Sequence, residues 1–86
     1  MRKEINEHGA IFYYNENNKY HREDGPAIEW SDGTKFWFKN GLYHREDGPA
    51  EEYKNGNKRY WYNDICYIKI KTDEEWVRFV KLLVFQ

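Results

Sequence analysis

Apolar and aromatic residues in this chain fall in short clusters, separated by polar turns that carry glycine. Residues 10–14, Ala27 to Trp30, Lys35 to Phe38, Glu51 to Tyr53 and Lys58 to Tyr62 have strand length and are rich in aromatic side chains. Between them lie Ser31-Asp32-Gly33-Thr34, Lys39-Asn40-Gly41 and Glu46-Asp47-Gly48-Pro49, which read as turns. Asp-Gly and Asn-Gly supply the positive φ of tight hairpin connections, and proline cannot donate to a ladder. Ile65 to Lys71 reads as a last strand, with Cys66, Ile68 and Ile70 alternating against Tyr67, Lys69 and Lys71. The period then changes. Thr72 and Glu75 have the spacing of a capping box, and Trp76, Phe79, Val80 and Leu83 form a stripe at helical spacing, which predicts a helix over 73–84. Leu82 and Phe85 lie off that stripe, as the border of the core or as contact residues.

The clusters repeat. Tyr20-His21-Arg22-Glu23-Asp24-Gly25-Pro26-Ala27 recurs unchanged as Tyr43-His44-Arg45-Glu46-Asp47-Gly48-Pro49-Ala50, 23 residues later. The same offset aligns Trp30 with Tyr53, Gly33 with Gly56 and Trp37 with Tyr60; carried backward, it aligns Tyr14 with Trp37. The chain is one domain: a partial unit over about 4–19, full units over 20–42 and 43–65, a strand over 65–71 and the helix. Each unit is too small to bury its own apolar face and must stack on a neighbour. The predicted fold is mostly β, a single-layer antiparallel meander of hairpin repeats with one C-terminal helix packed on the sheet or capping it.

At 86 residues the core is thin, and an aromatic content of 20% compensates, because large rings bury much area per residue. Fourteen basic and 15 acidic residues leave a net charge of −1, so no overall field points to nucleic acid or an anionic membrane. The lone Cys66 excludes an internal disulfide and fits a reducing compartment. The Met1 to Glu7 stretch has no signal-type apolar run, and the longest apolar stretch, Leu82 to Phe85, is far too short to span a bilayer. A cytoplasmic protein is expected.

The most polar constellation is His21, Arg22, Glu23 and Asp24 with its copy His44, Arg45, Glu46 and Asp47. Paired His and carboxylates on adjacent loops have the chemistry to chelate a metal or to act as acid and base. Identical copies favour structure instead: Asp caps the turn, Arg pairs with a neighbouring carboxylate and His packs beside Tyr. A third reading makes the two loops a charged row for a partner. Lys35-Phe36-Trp37-Phe38-Lys39 and Lys58-Arg59-Tyr60-Trp61-Tyr62 interleave cations with rings, as single-stranded nucleic-acid platforms do. Alternation sends Trp37 to one face and Phe36 and Phe38 to the other, however, so packing accounts for many of these rings. Cys66 has no helper at a recognisable spacing and reads as a small buried residue, and no phosphate loop, nucleophile elbow or zinc spacing occurs. No enzymatic activity, cofactor or metal is expected.

The His-Arg-Glu-Asp-Gly-Pro-Ala block, its period and the following Lys35-Phe36-Trp37-Phe38-Lys39-Asn40-Gly41 resemble the short MORN-like hairpin repeats over about residues 12–64. They resemble in particular the variant in small proteins of bacteriophages and large DNA viruses, and are similar to antitoxin components built of such repeats. The last unit departs from the pattern, with Asp64 at the turn glycine and Cys66-Tyr67 in place of Tyr-His. The resemblance implies a protein-binding scaffold with no catalytic residues, acting in the host cytoplasm as a steric inhibitor of a host defence, toxin or nuclease protein. The residues expected to meet the partner are Trp30, Trp37, Tyr53, Tyr60 and Trp61, flanked by His21, Arg22, Glu23, His44, Arg45 and Glu46. A free edge strand or the C-terminal helix would also serve to pair two copies. Nucleic-acid binding through the basic aromatic strands is the alternative, and a metal-dependent enzyme using the two charged loops a more distant one.

Overall fold

The computed structural model describes residues 1–85. Its strands are β1 (Arg2–Ile5), β2 (Ile11–Tyr14), β3 (Ile28–Glu29), β4 (Lys35–Phe36), β5 (Phe38–Lys39), β6 (Leu42–Tyr43), β7 (Glu51–Glu52), β8 (Lys58–Arg59), β9 (Trp61–Tyr62) and β10 (Ile65–Cys66). All pairings are antiparallel: one six-stranded sheet runs β1-β2-β3-β4-β7-β8, and β5-β6 and β9-β10 form two separate hairpins. The protein is mostly β with a single helix among the described residues, as expected, and its extents of 40 × 31 × 17 Å are those of a thin slab.

The strands expected over Lys35 to Phe38 and Lys58 to Tyr62 are each interrupted, at Trp37 and Tyr60. At Trp37 the pairing partner changes. Its N–H donates to Ala50 (2.7 Å) and its carbonyl accepts from His44 N–H (3.1 Å), so Arg45 to Pro49 loops out between the two bonds. The repeated motif is thus a long bulge in the meander. Tyr13 repeats the arrangement, with its N–H on Ala27 (2.8 Å) and His21 N–H on its carbonyl (3.0 Å). Tyr13, not Tyr14, is therefore the counterpart of Trp37. The turn at Asn15 to Lys19 is one residue longer than its successors and shifts the alignment; Tyr14 instead bridges Tyr20 as Phe38 pairs with Tyr43.

Helix α1 (Asp73–Val84) starts at Thr72, whose side chain accepts from Glu75 N–H while the Glu75 carboxylate accepts from Thr72 N–H. Three acidic groups occupy the positive first turn. Trp76 and Val80 are buried against Tyr60, with Tyr62, Tyr67, Ile70 and Phe79 around them, which closes one end of the repeat array. A second cluster, centred on Ala27, Ile28 and Phe38, lies within the sheet.

The strand expected over Ile65 to Lys71 ends at Cys66. Tyr67 N–H bonds Tyr60, in the way His44 bonds Trp37, and from there the chain leaves the sheet and turns, Ile70 N–H returning to Tyr67 (3.2 Å). The apparent alternation was an accident of composition: Ile68 is 74% exposed.

Candidate functional site

Each His, Arg, Glu and Asp side chain of the repeated loop has a bonding partner. Asn40 N–H donates to His21 Nδ1 (2.9 Å), which leaves the proton of the neutral ring on Nε2, 2.8 Å from Glu23. His44 repeats this with Asn63 N–H (3.0 Å) and Glu46 (3.0 Å). The Arg22 guanidinium lies 4.1 Å from the Tyr13 ring centre and Arg45 3.8 Å from that of Trp37. Arg45 also donates to Asp47 (2.9 Å) and to the Pro49 carbonyl (3.0 Å), as Arg22 does to Asp24 and Pro26. Gly25 and Gly48 do not take positive φ, contrary to the turn reading of Asp-Gly at these points. They are needed for space, because a Cβ at Gly48 would stand 2.9 Å from Arg45 Cζ. A groove of about 570 Å³ runs between the two loops, lined by Arg22, Glu23, Trp37, Lys39, Arg45 and Glu46 among others.

The sheet has two chemically distinct faces. Pairing places Phe12, Ile28, Phe36, Glu51 and Arg59 in one transverse row, and Ile11, Glu29, Lys35, Glu52 and Lys58 in the next, on the opposite side. The charged row lies with the loops: Arg22 reaches Glu29 (3.4 Å) and Arg45 reaches Glu52 (3.6 Å). On the other face the rings form a continuous ladder. Tyr14, Tyr20, Phe38, Tyr43 and Trp61 follow one another at centroid distances of 5.3, 5.3, 4.2 and 4.7 Å. Phe12 and Phe36 extend the ladder to Trp30, and Phe36 also meets Tyr53. The helix packs elsewhere, over Tyr60, so apart from the buried Phe38 these rings stay half-buried, with Trp30 40% exposed.

Glu51 sits under the second half of this ladder at 3% exposure, the place that Ile28 fills in the first unit. It accepts from Trp61 Nε1 (2.6 Å) and from the Tyr53 hydroxyl, with Arg59 3.8 Å away. The hydrogen bond to Glu51 and burial push the Tyr53 phenol up to about 12, and burial with the Glu51 charge raises Tyr43. Two exposed-face rings are thereby fixed in orientation by one buried carboxylate.

The sequence-derived site residues separate accordingly. Trp30, Tyr53 and Trp61 meet on the ladder face, whereas Trp37 lies on the loop face with His21, Arg22, Glu23, His44, Arg45 and Glu46. Tyr60 belongs to neither surface. At 2% exposure under Trp76, with its hydroxyl donating to Asp73 (2.6 Å), its side chain is core and cannot be presented to a partner. Sequence reasoning missed Glu51, Phe36 and Tyr43. A signal existed: between the units Ile28 becomes Glu51 and Phe38 becomes Trp61, a paired change that introduces an acceptor and a donor together. Cys66 is half-buried rather than buried, with burial raising its thiol, so it is a poor nucleophile near neutral pH. Among the described residues no three His, Cys, Asp or Glu side chains gather to hold a metal, and no helix is long and apolar enough to cross a membrane. No family model, curated protein or solved structure matches the chain.

Proposed function

We propose that the chain is a non-enzymatic protein-binding module that captures another protein on its aromatic ladder and blocks the surface it covers. The observation that carries this reading is the uncovered ladder itself, with Tyr53 and Trp61 both tied to the buried Glu51. Aromatic side chains dominate interface hot spots, and rings already fixed in place lose little conformational freedom on binding. The charged loops fit a supporting role, since their His and Arg groups are engaged within the fold. Resemblance to MORN-like repeats of phage and antitoxin proteins supports the finer reading, an inhibitor of a host defence, toxin or nuclease protein. The single thiol is in keeping with a cytoplasmic place of action.

The test is capture from host lysate by the tagged chain, with half the sample treated with nuclease. One protein retained in stoichiometric amount after nuclease is the expected result. Loss of every partner on nuclease treatment would replace this reading with nucleic-acid binding.

A further inference from the structure

We propose a second docking site, the free edge of β8, which takes an extended acidic strand from a partner protein. The repeat itself displays what this edge accepts. Where units stack, Tyr13 N–H meets the Ala27 carbonyl and Trp37 N–H meets the Ala50 carbonyl, as β3 joins β2 and β7 joins β4. Tyr60 is the third ring of the series, and among the described residues no carbonyl accepts its N–H, although the residue is 2% exposed. The segment that would supply that carbonyl, Asp73 to Glu75, lies 23 residues after Ala50 to Glu52 and has coiled into the first turn of α1. A groove of about 330 Å³ remains beside β8, lined by Lys58, Arg59, Lys71, Tyr60, Tyr67 and Ile70 among others.

Charge specifies the occupant. Across the loop face the row reads Glu29, Lys35, Glu52, Lys58, each cation lying beside a carboxylate, and then stops on a cation. On the other face the row ends on Arg59, next to Glu51. A strand added at this edge therefore meets Lys58 and Arg59, and carboxylates at those positions continue both rows. Asp73 already approaches Lys58 at 3.9 Å from the helix, at the margin of the same site. A second copy fits poorly. Antiparallel pairing of β8 with itself sets Lys58 and Arg59 against their own kind, and β1 opens with Arg2 and Lys3. None of the ladder rings lines this groove, so the site is tested separately from that surface.

The full-length ¹⁵N-labelled chain is titrated with a synthetic peptide of residues 46–54, which carries its own Ala50-Glu51-Glu52 strand, and with the same peptide bearing Glu51→Lys and Glu52→Lys. The acidic peptide is expected to shift the amide signals of Lys58 and Tyr60 and to slow hydrogen exchange at Tyr60. The lysine peptide is expected to bind at least about tenfold more weakly, since like charges then face each other across the ladder. Lys58→Gln in the protein weakens binding of the acidic peptide several-fold without loss of the folded spectrum, and Trp30→Ala leaves it unchanged. Equal response to both peptides, or no shift at Lys58 and Tyr60, overturns the proposal. Shifts of the β8 amides on concentrating the protein alone would overturn it in favour of a second copy.

Discussion

Trp76 packs on Tyr60 at a centroid separation of 5.4 Å, in the place where Arg22 covers Tyr13 and Arg45 covers Trp37 in the preceding units. The third ring of the series thus trades a guanidinium for an indole. The exchange ends the array: a guanidinium lid belongs to a loop that leads on to another strand, whereas Trp76 brings a helix that covers the terminal ring. Its Nε1–H donates to the Arg45 carbonyl (2.7 Å), which ties that helix to the second loop.

Trp76→Ala is accordingly the most damaging single substitution in the chain. Removing a fully buried indole costs about 3–5 kcal/mol, a large share of the stability of so small a domain. Urea unfolding followed by far-UV circular dichroism measures it. A loss under about 1 kcal/mol would mean that the helix is not part of the cooperative core.

Arg45→Ala removes a ring contact, a pairing with Asp47 and a bond to the Pro49 carbonyl. The expected cost is about 2 kcal/mol, with Arg45→Lys recovering less than half, because an ammonium cannot stack flat and donate in two directions. Gly48→Ala should act through the same contact by displacing the guanidinium from Trp37. Chemical denaturation of the three variants is the check. Full rescue by lysine would show that only the charge matters.

Alkaline pH should destabilise the fold through Tyr53. Its folded-state value, about 12, lies above the ordinary value of 10.0, so its contribution is complete below pH 10 and is lost as pH rises towards 12. Tyr60, raised by burial and by its bond to Asp73, acts in the same direction. Glu51→Gln removes the charge that opposes Tyr53 ionisation, so its urea midpoint should fall less between pH 9 and 11.5 than that of the parent. Parallel curves for the two proteins would contradict the Glu51–Tyr53 coupling.

Acid should loosen the helix start. Hydrogen bonds from the Lys71 and Thr72 amides and the Thr72 hydroxyl hold Glu75 below the ordinary carboxylate range. That contribution is present above about pH 4.5 and is lost as pH falls through the lowered value. Thr72→Ala, which removes the other half of the box, is expected to cost about 1 kcal/mol. Comparison of Glu75→Gln with the parent from pH 6 to pH 2.5 isolates the acid step: the parent should lose more stability than the variant over this range.

Much of this architecture was legible because identical blocks at a fixed spacing demand identical environments, and the helix declared itself through Thr72, Glu75 and the Trp76 stripe. The bulge at Trp37 was not legible. Nothing local distinguishes a strand residue whose partner strand is interrupted by a loop from one in an unbroken ladder. Tyr60 was misplaced for a related reason: by offset it equals Trp37, and only the fold reveals that its cover comes from Trp76, 16 residues on. The division of Trp30, Tyr53 and Trp61 from Trp37 follows from alternation once strand register is known.

The most direct test compares the two faces. Capture of the partner protein is measured for Trp30→Ala with Tyr53→Ala on the ladder face, and for Glu23→Gln with Glu46→Gln on the loop face, each variant first confirmed as folded by its thermal melt. Loss of capture in the ladder variant alone is the result this account predicts. Capture that survives in the ladder variant and fails in the loop variant would contradict it and assign recognition to the charged loops.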